Sequence, residues 1–67
     1  MARGFSEGYA PVANSKVLWG YINKNGTVVI NYQYNFTDMF IDGKARVMLN
    51  GNMMMIDKKG NQVKEEN

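Results

Sequence analysis

The chain writes one unit twice, and a fold built on it must place two copies of the same small motif side by side. Phe5-Ser6-Glu7-Gly8-Tyr9-Ala10-Pro11-Val12 returns as Phe40-Ile41-Asp42-Gly43-Lys44-Ala45-Arg46-Val47, an offset of 40 − 5 = 35. Trp19-Gly20-Tyr21-Ile22-Asn23-Lys24-Asn25-Gly26 returns as Met53-Met54-Met55-Ile56-Asp57-Lys58-Lys59-Gly60, an offset of 56 − 22 = 34. The first copy therefore carries one extra residue between these two stretches. Self-similarity at a period of this length marks a repeat architecture, in which each copy is one supersecondary unit that buries its apolar face against a neighbour. The expected boundaries are about 5–39 and about 40–64, inside a single domain spanning 1–67.

Within each copy the apolar residues alternate. Ala10 and Val12, like Ala45, Val47 and Leu49, lie two apart and so share one face of a strand. Pro11 has no amide hydrogen, which puts its strand at an edge or turns the missing donor outward. Asn14-Ser15-Lys16 reads as a connection. Val17 to Asn23 reads as the next strand, with Leu18, Gly20 and Ile22 on one face and Val17, Trp19 and Tyr21 on the other, a pattern that calls for cover on both sides. A glycine between two large aromatics marks a close approach by a ring or another backbone. We expect Trp19 to lie over a neighbouring unit, with Gly20 making room for it; the other reading is a Trp19 that stacks on a ligand.

Lys24-Asn25-Gly26 closes a hairpin, with Gly26 at positive φ, and Thr27 to Ile30 is its β-branched return arm. Asn50-Gly51 between two apolar runs signals a type I′ turn. Lys58-Lys59-Gly60 repeats the first hairpin with Gly60 in the place of Gly26, Asn61 to Lys64 is a short polar strand, and Glu65 to Asn67 frays. Between the copies, Tyr32, Tyr34 and Phe36 alternate with Gln33 and Asn35. This stretch either extends the strand or forms an aromatic-lined loop, and a loop that tucks its rings under the sheet is the expected form. Helix signals are missing throughout, so the fold class is all-β: two tandem three-stranded meanders forming a small antiparallel assembly.

Composition narrows the chemistry. Without Cys or His, the chain has no thiolate, no imidazole ligand and no side chain that titrates near neutrality in its unperturbed state. We expect no metal, no cofactor and no catalytic residue. Glu7 and Asp42 both precede a Gly, but they are equivalent positions of successive copies and are better read as turn residues accepting backbone hydrogen bonds. The eight basic residues are scattered singly except at Lys58-Lys59, which does not make a nucleic-acid stripe. No apolar run approaches the ~18 residues of a membrane helix, and the start lacks the apolar core of a signal peptide, so a soluble chain is expected.

Phe5-Ser6-Glu7-Gly8, Trp19-Gly20-Tyr21-Ile22-Asn23-Lys24-Asn25-Gly26, the Val28-Val29-Ile30 that follows and the Tyr34-Asn35-Phe36 lead into the next copy together resemble the WG repeat, also called the KWG repeat. The second copy departs from it at Met53-Met54-Met55, where three flexible side chains could fill an irregular end. The resemblance implies a bacterial β-rich tandem unit, often in surface or secreted proteins, with a binding or scaffolding role and no catalytic residues.

Two classes of function are then open. One is a structural or interaction module that binds protein or carbohydrate through exposed rings, with Tyr32, Tyr34 and Tyr9 as candidate contact residues and Trp19, Gly20, Tyr21, Gly26 and Gly60 as the structural motif. The other is a small single-stranded nucleic-acid-binding β-domain, because Gly20-Tyr21-Ile22 followed by Val28-Val29-Ile30 resembles the aromatic strands of cold-shock and OB-like domains. Since two units fall short of the three or so that give a continuous core, a homodimer is expected, with exchanged strands as one form.

Overall fold

The computed structural model describes residues 4–63. Its seven strands are β1 (Tyr9–Ala13), β2 (Trp19–Asn23), β3 (Val28–Tyr34), β4 (Phe36–Thr37), β5 (Lys44–Leu49), β6 (Asn52–Asp57) and β7 (Gln62–Val63). The protein is all-β, as its alternation requires. Within each sheet every strand pairs antiparallel with the next, in one sheet of order β1-β2-β3 and another of order β4-β5-β6-β7. Pro11 lies on β1, an edge strand, where a missing donor is tolerated. Lys64 and the expected fraying at residues 65–67 fall outside the described residues.

The described residues contain six turns of two kinds, five of them between strands. Glu7-Gly8, Asp42-Gly43 and Asn50-Gly51 are two-residue turns with positive φ at both positions, the type I′ geometry that suits twisted strands. The other three each open on a side-chain oxygen. Asn14 Oδ1 accepts from the amides of Lys16 and Leu18, Asn23 Oδ1 from Asn25 and Thr27, and Asp57 Oδ1 from Lys59 and Asn61. Three residues after each opener the chain passes through the left-handed region, at Val17 (φ 60), Gly26 (φ 82) and Gly60 (φ 85). Val17 was expected inside β2. It is instead 69% exposed at a conformation that a β-branched residue adopts under strain, and the strand begins at Trp19.

A backbone approaches Gly20 closely. Trp19 faces Tyr34, Tyr21 faces Ile30 and Ile22 faces Val28. Going from Trp19 to Tyr21, β2 advances two residues while β3 uses four, and from Tyr21 to Ile22 one residue faces two. These bulges fold β3 across β2, so that a Cβ on Gly20 would stand 2.5 Å from the Ile30 carbonyl oxygen and 2.9 Å from the Asn31 carbonyl carbon. In the second copy Met54 takes the glycine's place, and Met55 and Ile56 meet Val63 and Gln62 in unbroken register.

The expected loop over residues 31–39 is a strand through Tyr34, a bend at Asn35 and the short strand β4. Asn31, Gln33 and Asn35 are exposed and Tyr34 is buried, the period-two pattern of a strand that covers a core on one side. After the bend the chain changes sheets: Asn35 donates its amide to the Met48 carbonyl and Asp38 donates to that of Arg46. The second sheet thereby gains a strand from the first copy and has four strands where three were expected. Tyr21, Ile30 and Tyr34 then meet Phe40, Ala45, Val47 and Ile56 in one buried cluster, with Trp19 and Met54 half-buried against it. Thr37 is also fully buried, and its hydroxyl has no hydrogen-bond partner among the described residues.

Candidate functional site

Side chains of both units converge where one unit meets the other. Phe40, which opens the second unit, is fully buried between two rings of the first. It makes an edge contact with Tyr9 at 5.4 Å between centroids and another with Tyr21 at 4.7 Å. Edge-to-face pairs of this kind add about 0.5–1.5 kcal/mol each beyond the area they bury. Polar bonds fix the register around the ring. Ser6 donates its hydroxyl to the Phe40 carbonyl at 2.7 Å, and Tyr21 donates its hydroxyl to the Asp38 carbonyl.

Glu7 closes the seam. Its two carboxylate oxygens accept from the amides of Asp42 (2.6 Å) and Gly43 (2.8 Å), the central residues of the second unit's equivalent turn. Two successive left-handed residues aim both N–H groups outward, and a carboxylate matches that pair. Glu7 and Asp42 were expected to accept backbone bonds in their turns. Glu7 does accept them, from the partner unit's turn. On the far side, the Lys58 ammonium donates to the Glu7 carbonyl and sits 4.7 Å from the centre of the Tyr9 ring. Gly60 brings its turn against the Ile30 side chain, where an added Cβ would be 3.6 Å away.

This geometry separates the three tyrosines named as contact residues. Tyr9 is half-buried, with its ring engaged by Phe40 and Lys58. Tyr34 is a correction: at 2% exposed it lies in the core opposite Trp19, because the alternation of β3 turns it inward, and burial pushes its phenol above the usual value of 10.0. Tyr32 is half-buried. Tyr21, the ring that base stacking would use, is fully buried. Trp19 is half-buried against the core. Phe5, Phe40, Lys24 and Lys58 were missed as site residues, although the return of Phe-x-acid-Gly at an offset of 35 was the signal that could have singled out Phe5 and Phe40.

Two antiparallel units, the second seated on the first through an aromatic and a carboxylate clamp, define a tandem β-repeat. The family model of the WG containing repeat matches residues 19–52, which is 34 of the 67 residues, and the chain belongs to that family. The matched span begins at the Trp-Gly of the first copy and ends inside β6. No curated protein and no solved structure matches the chain.

Proposed function

We propose that this chain is a non-catalytic interaction module whose partners are proteins, with self-association as the first case to examine. One observation carries the reading: Ser6, Glu7, Tyr9 and Tyr21 of the first unit are spent on seating the second. Glu7 is committed to two backbone amides, which supports a structural role for it. Carbohydrate binding needs an open ring platform, and the tyrosines offered for it are buried, engaged or half-covered. The nucleic-acid alternative needs Tyr21 on the surface, and its burial counts against that reading.

Light scattering after size exclusion, run over a wide range of concentration, is the first test. A mass above 7.6 kDa that falls on dilution is the result expected for self-association, and a mass fixed at 7.6 kDa removes it from the proposal. The second measurement is Trp19 fluorescence against oligosaccharides and single-stranded oligonucleotides. Saturable binding of either would replace the protein-docking reading, and a steep salt dependence would identify the nucleic acid.

A further inference from the structure

The seam inside the molecule shows what a unit needs on each of its two sides. To seat a following unit, the first copy uses Ser6, Glu7, Tyr9 and Tyr21; to be seated, the second uses Phe40, the Asp42-Gly43 amides, Lys58 and Gly60. Each set has equivalents in the other copy, at the offsets of 35 and 34, and the two sets fare differently. The seated side survives in the first copy as Phe5, the Glu7-Gly8 turn, Lys24 and Gly26. The seating side of the second copy reads Ile41 for Ser6, Asp42 for Glu7, Lys44 for Tyr9 and Met55 for Tyr21. Both rings and the hydroxyl are gone from it, and the carboxylate is one methylene shorter.

The surface agrees with the sequence comparison. Phe5 is 46% exposed where Phe40 is fully buried. The Glu7-Gly8 turn has the backbone of its counterpart, with φ of 55 and 84 against 54 and 77. The counterpart's two amides hold a carboxylate, whereas the Glu7 and Gly8 amides donate to no group among the described residues. Lys24 is exposed. An aromatic anchor, a pair of convergent N–H donors and a cation are thus presented together, in the arrangement that the second copy uses to hold the first.

We propose that this face docks onto a further, intact unit of the same repeat, one that offers a pair of tyrosines, a serine hydroxyl and a glutamate at the positions of Tyr9, Tyr21, Ser6 and Glu7. The chain would close the open end of that unit and offer no comparable seat of its own. A contact between unlike faces propagates into rings or open filaments unless one face is disabled, and the Ile41, Asp42, Lys44 and Met55 face is disabled in that sense. This proposal rests on the protein-docking reading and assigns it a direction and a partner.

Rebuilding the lost seat tests it. The variant Ile41→Ser, Asp42→Glu, Lys44→Tyr, Met55→Tyr should associate head to tail, its mass by light scattering rising with concentration beyond about twice that of a single chain. Adding Phe5→Ala to that variant should return it to the wild-type mass, and an excess of wild-type chain should shorten the assemblies by capping them. A rebuilt variant that melts cooperatively yet keeps the wild-type mass overturns the proposal. So does association indifferent to both Phe5→Ala and added wild type. If the fourfold variant does not melt cooperatively, Asp42→Glu with Lys44→Tyr, both at exposed positions, is read by the same outcomes. The wild-type experiments above stand apart from these results, so the direction of docking can fail while protein docking holds.

Discussion

Val17 is the residue least suited to its place. It occupies the left-handed position that glycine fills in the two sister turns, and a side chain there costs roughly 1–2 kcal/mol, of which the greater freedom of glycine in the unfolded chain would take back about 0.5–1. Val17→Gly should therefore stabilise the protein by about 0.5–1 kcal/mol, read as a higher urea midpoint at unchanged slope. An unchanged or lower midpoint would mean that the φ of 60 carries no strain. The roles of Gly26 and Gly60 were legible in the sequence because glycine itself announces a positive φ. Val17 was not, since a β-branched residue reads as strand, and the clue lay in spacing: Val17 follows Asn14 by three, as Gly26 follows Asn23 and Gly60 follows Asp57. Tyr34 adds a pH dependence. Burial raises its folded pKa above the value of 10.0, so below that pH both states keep the proton and stability is complete. As pH climbs past it the unfolded chain ionises first, and stability falls until the folded phenol titrates. Tyr34→Phe should lose less stability than the wild type between neutral and strongly alkaline pH; equal losses in denaturant melts at both ends would rule out Tyr34 as a contributor.

At the scale of elements, the bulged pair of β2 and β3 sets the shape of the first unit. Gly20→Ala puts a methyl group against the Ile30 carbonyl, where the obstacle is backbone and cannot rotate aside. We expect a cost of about 1–3 kcal/mol, whereas alanine in place of glycine in an unobstructed strand is mildly favourable. A melt at or above the wild-type temperature would show that β3 can move off at little cost. The sequence revealed a close approach at Gly20 but not its source, because bulges leave no mark in a two-residue period. The same blindness explains residues 31–39. Their alternation of rings with Gln33 and Asn35 is visible, yet a scheme of separate three-stranded units had no place for a strand that outgrows its partner, bends at Asn35 and finishes in the second sheet. The hairpin turns at residues 24–26, 50–51 and 58–60 were legible, since each depends on glycine, asparagine or aspartate at a fixed offset.

For the whole molecule, the expectation that two units cannot close a core fails on Tyr34 and Phe40, whose rings fill the space between the sheets. With the cluster drawn from both units, neither should melt by itself. Phe40→Ala removes the ring that joins them and should cost about 3–5 kcal/mol. That is a large part of the roughly 3–10 kcal/mol that a chain of this length commands at about 0.05–0.15 kcal/mol per residue. In the wild type, Trp19 fluorescence, which reports the first unit, should change together with far-ultraviolet circular dichroism, which reports both. Two separated transitions would mean two cores. The order of pairing also carries a kinetic consequence. Every ladder joins strands adjacent in sequence, so each hairpin closes over a short loop, while the contacts of the seam join residues 17 to 51 apart. Short loops close first, and distant contacts follow once the chain entropy has been spent. The seam should accordingly be unformed at the folding barrier. A milder truncation there, Phe40→Leu, should then steepen nothing and slow nothing on the refolding arm of a chevron plot, while it raises the unfolding rate by nearly the whole of its equilibrium effect. A slowed refolding arm would instead make the docking of the two units the event that starts folding.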